Sequence, residues 1–304
     1  MSSIPVLWSA ASLNEALRYV AREMDERFDD LLPTPDDLSA RLIEAMRYAA
    51  IGGGKRLRPL LTCASADLFK VPRHRSLRAG LAVECIHVHS LIHDDLPCMD
   101  DDDLRRGKPS VHVAFDEATA VLAGDSLLAL AFEVLADEET HPNGDVRAEL
   151  ISGLARAAGA TGMAGGQMLD LADHQSSTDI EAVTRLERLK TGAVINWTVE
   201  AGALLGGASP EAHTSLRGYA QALGLAFQIA DDLLDATGSE GATGKRVGKD
   251  AVQGKANFVT LLGVERARRQ AEMLIEQAIE HLSLLGDHTD LLEAIARFVI
   301  ERTC

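Results

Sequence analysis

Two segments, Ala118 to Leu135 and Gly218 to Leu234, are apolar on nearly every side when wound at helical periodicity. A helix of that kind belongs inside a bundle, so the chain must supply further helices to surround both. Its composition suits that role: 45 Ala and 42 Leu stand against 12 aromatic residues, a mixture that favours helix over strand. No stretch alternates Val, Ile or Thr with polar residues, and no strand–helix alternation recurs, which argues against a parallel sheet. The expected fold is all-α, a large bundle of roughly ten or more helices joined by mostly short connections. No composition shift marks a linker, so residues 1–304 read as a single domain.

Pro33 and Pro35 break the chain early, with Thr34, Asp36 and Asp37 as N-cap candidates for a helix that runs through Ala50 and ends at Gly52 to Gly54. Further breaks fall at Val71-Pro72, at Gly107 to Pro109, at residues 141–144 and 206–210, and in a loop from Gly238 to Gly254. A net charge of −16 excludes a partner bound chiefly through a basic surface, such as duplex nucleic acid or an anionic membrane. Cys63, Cys85, Cys98 and Cys304 have neither zinc-ligand spacing nor the density of a disulfide scaffold. The N-terminus lacks the basic flank and long apolar stretch of an export signal. Polar residues interrupt every apolar run before the roughly 18 to 20 residues of a membrane span. A soluble protein of the reducing cytoplasm is expected.

Inside apolar helices, ionised side chains are costly unless paired or metal-bound. Asp125, Gln228, Asp231, Asp232 and Asp235 are therefore conspicuous. On an ideal helix Asp231 and Asp235 project from one face a turn apart, with Gln228 a turn earlier. A second cluster crowds Asp94, Asp95, Asp100, Asp101, Asp102 and Asp103 into ten residues. On an unbroken helix Asp94 and Asp100 would point about 240° apart, so Pro97 is expected to kink or bulge the chain and swing Asp100 back beside Asp94. Both clusters read as metal sites. Oxygen-only donors favour a hard cation, and few protein ligands with room for water and phosphate favour Mg²⁺ over Ca²⁺.

Basic residues recur near these acids. Lys55, Arg56 and Arg58 follow three glycines and flank Pro59, either as a phosphate site at a helix start or as a solvated basic turn. Arg105 and Arg106 follow the first cluster, where charge balance is their simplest role. Lys190 and Thr191 lie in an LKTG stretch, and Lys245, Arg246, Lys249 and Lys255 lie in the long loop, which reads as a lid over an anion or as a surface loop. His87 stands seven residues before Asp94, on its face and about 10 Å along the axis. Acids and bases around one cavity make sense when Mg²⁺ neutralises a polyphosphate on one side and Lys and Arg grip it on the other. No P-loop is present, and the apolar surroundings point to a greasy remainder of the substrate.

The motifs GGGKRLRP, ECIHVHSLIHDDLPCMDDDDLRRG, GGQMLDL, LKTG, FQIADDLLD and GKANFVTLLG, in that order, resemble those of the trans-isoprenyl diphosphate synthases, most closely the bacterial farnesyl type. The resemblance covers nearly the whole chain. It implies an all-α bundle around a deep cavity, usually a homodimer, that condenses isopentenyl diphosphate with dimethylallyl or geranyl diphosphate to give farnesyl diphosphate. It further implies Mg²⁺ on Asp94 and Asp100 with Asp95 supporting, and on Asp231 and Asp235 with Asp232 nearby, with three ions once substrate is bound. Lys55, Arg58, His87 and Arg106 correspond to the isopentenyl diphosphate grip. Arg105, Lys190, Lys245 and Lys255 correspond to holders of the allylic diphosphate, and Thr191 and Gln228 would face the reacting carbons.

In that family the residues four and five before the first Asp, here Ser90 and His89, floor the elongation cavity. A large aromatic at the fifth position typically stops growth at fifteen carbons; His89 is smaller and polar, so a geranylgeranyl (twenty-carbon) synthase is the alternative. A class I terpene cyclase would replace the second Asp cluster and lack GGGKRLRP. An HD-type phosphohydrolase would use His93-Asp94 but needs dispersed His and Asp ligands, and a silent partner subunit would have lost one cluster.

Overall fold

The expected all-α architecture is the one observed. In the computed structural model, which describes residues 13–172, 179–237 and 256–301, the chain runs through α1 (Leu13–Leu31), α2 (Ala40–Ala50), α3 (Leu57–Asp67) and α4 (Arg73–Asp94). A short hairpin, β1 (Leu104–Arg105) and β2 (Lys108–Pro109), leads to α5 (Val111–Ala114), α6 (Glu117–Ala136), α7 (Gly144–Ala158) and α8 (Met163–Ala172). Then come α9 (Ile180–Glu187), a π-helical turn (Arg188–Gly192), α10 (Ala193–Leu205) and α11 (Pro210–Thr237). The last helices are α12 (Phe258–Leu262), α13 (Val264–Leu282) and α14 (Asp290–Glu301). One contiguous apolar core reaches from Ala16 in α1 to Val299 in α14.

Helix ends follow local chemistry. Thr34, Asp36 and Asp37 do not cap α2 directly: Asp37 Oδ1 accepts from the Ser39 N–H at 2.7 Å and from its hydroxyl at 2.6 Å, ahead of the first helical residue. Farther on, Asn143 and Asp116 cap α7 and α6 by accepting from Asp145 and Thr119 N–H groups. The hairpin is the one strand pair among the described residues. Arg106 and Gly107 form its two-residue turn, both with positive φ (53° and 74°), as a type I′ turn requires.

α11 is the interior helix its sequence implies; from Gly218 to Leu234 Gln221 alone is exposed. α6 departs from that expectation. Its Thr119, Ala120, Ala123 and Leu127 are buried, yet Ala118, Val121, Leu122, Asp125 and Ala129 form an exposed stripe on the opposite side. Asp125 therefore needs no burial partner, its side chain being 61% exposed. At 20 residues α6 is also long and apolar enough to cross a membrane, which the sequence reading did not anticipate, though one face packs into the bundle beside α4.

Candidate active site

The first acidic cluster is shaped by the end of α4. Pro97 terminates the helix instead of kinking it, and a tight turn carries the chain back so that Asp100 N–H donates to Asp94 C=O at 2.8 Å. Asp102 N–H likewise donates to Asp95 C=O at 3.2 Å. Burial raises the Asp94 carboxyl to about 6; Lys190 opposes the shift and Asp100 adds to it. Asp95, which the resemblance gives a supporting place in the metal site, is buried and paired with Arg105, whose Nε donates to Oδ1 and Oδ2 at 3.0 and 3.1 Å.

Across the cavity the LKTG segment forms the π-turn. Such a turn adds one residue to the helical repeat and redirects side chains, a device common at functional sites. Lys190 Nζ reaches Asp170 Oδ2 on α8 at 2.6 Å. Burial works against the Lys190 charge, but Asp170, with Asp94 and Asp100 beyond it, outweighs burial and raises the pKa above its usual value. Gly166 on α8 leaves room for this approach, because a Cβ there would collide with the Lys190 backbone.

A polar chain runs behind the π-turn. Glu187 lies 3.4 Å from Thr191 Oγ1, which lies 3.2 Å from Gln228 Oε1; Gln228 Nε2 donates to Asp232 Oδ1 at 3.0 Å, and Asp232 Oδ2 accepts from Phe258 N–H at 2.9 Å. Burial first, then Asp232, raise Glu187 from 4.5 to about 8. The Thr191 hydroxyl has a single proton, so it donates to one of these two oxygens, on Glu187 or on Gln228, at a time. Asp232, also expected among metal ligands, is buried; Oδ1 accepts from Gln228 on its own helix, and Oδ2 ties α11 to α12 through the Phe258 N–H.

Two adjoining chambers meet at Arg58, His87 and Thr191. One, of about 670 Å³, is lined by Lys55, Arg58, His87, Arg106 and, from α11, Asp231. The other, of about 450 Å³, runs past Asp94 and Lys190 between His89, Ser90 and the apolar side chains of Met163, Met168 and Leu171. Burial and the surrounding Arg58, Arg106, Arg56 and Arg105 hold His87 well below its usual pKa, so it is neutral. Gly53 and Gly54 bring Arg106 into this cluster: a Cβ on either would stand 2.8 or 2.6 Å from the guanidinium. Arg56 also lines the cationic chamber but is buried and already paired, with Glu84 at 2.7 Å and Asp25 at 2.9 Å. Burial lowers His89 to about 4, and its Nδ1 donates to Gly124 C=O at 3.0 Å.

Against this geometry, a family model described as polyprenyl synthetase matches residues 39–295. The chain belongs to the polyprenyl synthetase family. The farnesyl diphosphate synthase of Escherichia coli (strain K12) is 47% identical over 266 residues, 86% of this chain and 89% of that protein. An FPP/GFPP synthase from Zymomonas mobilis, 52% identical, superposes at a TM-score of 0.88 over 96% of this chain and 99% of that one. A geranyltransferase from Helicobacter pylori, solved with magnesium and isoprenyl diphosphate, is 32% identical at a TM-score of 0.80, covering 94% and 96% of the two chains.

This polyprenyl synthetase is a transferase of prenyl groups. Its fold brings Lys55, Arg58, His87, Arg106 and Asp231 to one chamber and His89, Ser90, Asp94 and Lys190 to the next, with Thr191 between. Lys245 and Lys255 lie outside the described residues. Asp170 and Glu187 were not singled out from the sequence. Asp170 had a signal, an acid on the otherwise apolar GGQMLDL helix; Glu187 had none, because its burial depends on the π-turn.

Proposed function

We propose that this polyprenyl synthetase condenses isopentenyl diphosphate with dimethylallyl or geranyl diphosphate and releases (2E,6E)-farnesyl diphosphate. The observation that carries the reading is the pair of joined chambers: a cationic one, and a second that passes from the Asp94 carboxylate to apolar side chains. Lys55, Arg58, Arg106 and the neutral imidazole of His87 grip isopentenyl diphosphate. Arg105 and Lys190, with Lys245 and Lys255, hold the allylic diphosphate. Asp95 serves by fixing Arg105, and Asp232 by fixing Gln228.

All-oxygen donors at Asp94 and Asp100, and at Asp231 and Asp235, fit Mg²⁺, and the Asp94 carboxyl, raised chiefly by burial with Asp100 adding to it, gains from a cation beside it. Three ions are expected with substrate present. Bound Mg²⁺ would offset the charge that builds on departing diphosphate. Lys190 and Arg105 share that task, and the lone pairs of Thr191 and Gln228 face the allylic carbon as its C–O bond ionises. The isopentenyl double bond then forms the new C–C bond, and the adjacent proton passes to the released diphosphate. No side-chain nucleophile is required.

His89 and Ser90 floor the chain-length cavity. The smaller His89 ring favours a second reading, a geranylgeranyl product of twenty carbons. The exposed α6 stripe, with Val121 and Leu122 at its centre, suits a homodimer contact. Free thiols at Cys63, Cys85 and Cys98 accord with a cytoplasmic setting, and we read residues 1–304 as one polyprenyl synthase domain.

The test is incubation with Mg²⁺, isopentenyl diphosphate and geranyl or dimethylallyl diphosphate, followed by product sizing. Farnesyl diphosphate should dominate, and His89→Ala should shift it to longer chains. An unchanged length distribution would move the floor elsewhere; no elongation at all would remove the reading.

A further inference from the structure

The wall between the second chamber and α6 holds a group of side chains that the proposed reaction does not use together. His89 and His93 stand one turn apart on α4, their rings 4.5 Å apart between centroids at 63°. Asp125 approaches from α6. One ligand atom from each of the three lies within 4.8 Å of the other two.

We propose that His89, His93 and Asp125 bind a borderline divalent transition metal, such as Zn²⁺ or Co²⁺, in a site chemically distinct from the all-carboxylate Asp94 and Asp100 pair. Two imidazoles and one carboxylate form the donor set of an open three-ligand zinc site, and histidines at i and i+4 present both rings from one helix face. Mg²⁺ demands hard oxygen donors and is a poor match for two ring nitrogens.

The outer contacts support this more strongly than proximity does. His89 Nδ1 meets Gly124 C=O at 3.0 Å, and His93 Nε2 meets Val121 C=O at 3.1 Å. A carbonyl only accepts, so His89 Nδ1 carries the proton and its Nε2 keeps a lone pair, whereas His93 Nε2, which also stands 3.9 Å from Asp125 Oδ1, would exchange its carbonyl contact for the ion. For His89, a backbone carbonyl holding the far N–H is the usual second contact of a metal-binding histidine. Gly124 is part of the arrangement, since a Cβ there would run into the His93 ring.

Bonds of about 2.0–2.1 Å place tetrahedral ligand atoms roughly 3.4 Å apart, so the group must close by about an ångström. Asp125 can supply that movement, because its side chain is 61% exposed. Both histidines line the substrate chamber, which gives the ion a route in. A bound ion would hold His89 against α6 and thereby change product length, a consequence that rests on the reading of His89 as the cavity floor.

Calorimetric titration of the full chain with Co²⁺ or Zn²⁺, in excess Mg²⁺ and without substrate, tests the site itself. One equivalent should bind, persist in Asp94→Ala and Asp231→Ala, and weaken at least tenfold in His89→Ala and in the surface substitution Asp125→Asn. Cys98→Ser, which removes an exposed thiol, should leave it unchanged. Equal binding in wild type, His89→Ala and Asp125→Asn overturns the proposal, as does loss in Cys98→Ser. Product sizing with and without the second metal is a separate readout: failure of prenyl transfer would leave the binding result standing, and failure of binding would leave prenyl transfer intact.

Discussion

Glu187 is the residue whose surroundings most alter its chemistry. Its folded pKa of about 8 exceeds the ordinary 4.5, so between those values the folded chain holds a proton the unfolded chain has lost. Stability from this group is full below about 4.5 and declines as pH rises through about 8. Glu187→Gln should flatten that decline, as urea denaturation across the pH range will show; an unaltered profile would mean that the carboxyl is ionised throughout. The Arg56–Glu84 pair is buried on both sides. Glu84→Ala would leave the guanidinium with Asp25 as its ionic partner and should cost about 1–3 kcal/mol in the same assay. Sequence reasoning found the acidic clusters because a carboxylate in apolar company demands a partner. It could not say which carboxylate meets the cavity and which meets a neighbour. Asp95 and Asp232 look like their motif companions in one dimension; that Arg105 and the Phe258 N–H stand beside them shows only in three.

Elements made visible by punctuation were those bounded by Pro and Gly; the two irregular ones were not. The hairpin is too short for an alternating pattern, and its signal was the Arg-Gly pair at the turn. The π-turn left no trace, since its fifth-residue hydrogen bonding is fixed by packing against α8 and α11. The glycine loop between α2 and α3 matters through what it admits. Gly54→Ala adds a Cβ 2.6 Å from Arg106 at a position with φ of 82°. It should raise the KM for isopentenyl diphosphate about tenfold, roughly 1.4 kcal/mol, with a smaller change in kcat. An equal loss in both would mean that Arg106 acts on the transition state instead of on binding.

For the whole molecule, the all-α bundle was legible because Ala and Leu dominate and strand patterns are lacking. The outward stripe of α6 was not, since its exposed and buried faces are equally apolar. If a second copy covers that stripe, Leu122→Asp should convert a species of twice 32.5 kDa into one of 32.5 kDa by light scattering. A wild-type monomer would remove the dimer reading. The hairpin has a wider reach than its four paired residues suggest. Arg105 locks onto the acidic end of α4, whereas its immediate neighbour Arg106 lies over the glycine loop of the opposite chamber. Successive Cα atoms are about 3.8 Å apart whatever the packing does. On the proposed reading, the arginines assigned to the two diphosphates are thus one peptide unit apart, so a shift of the turn backbone displaces both.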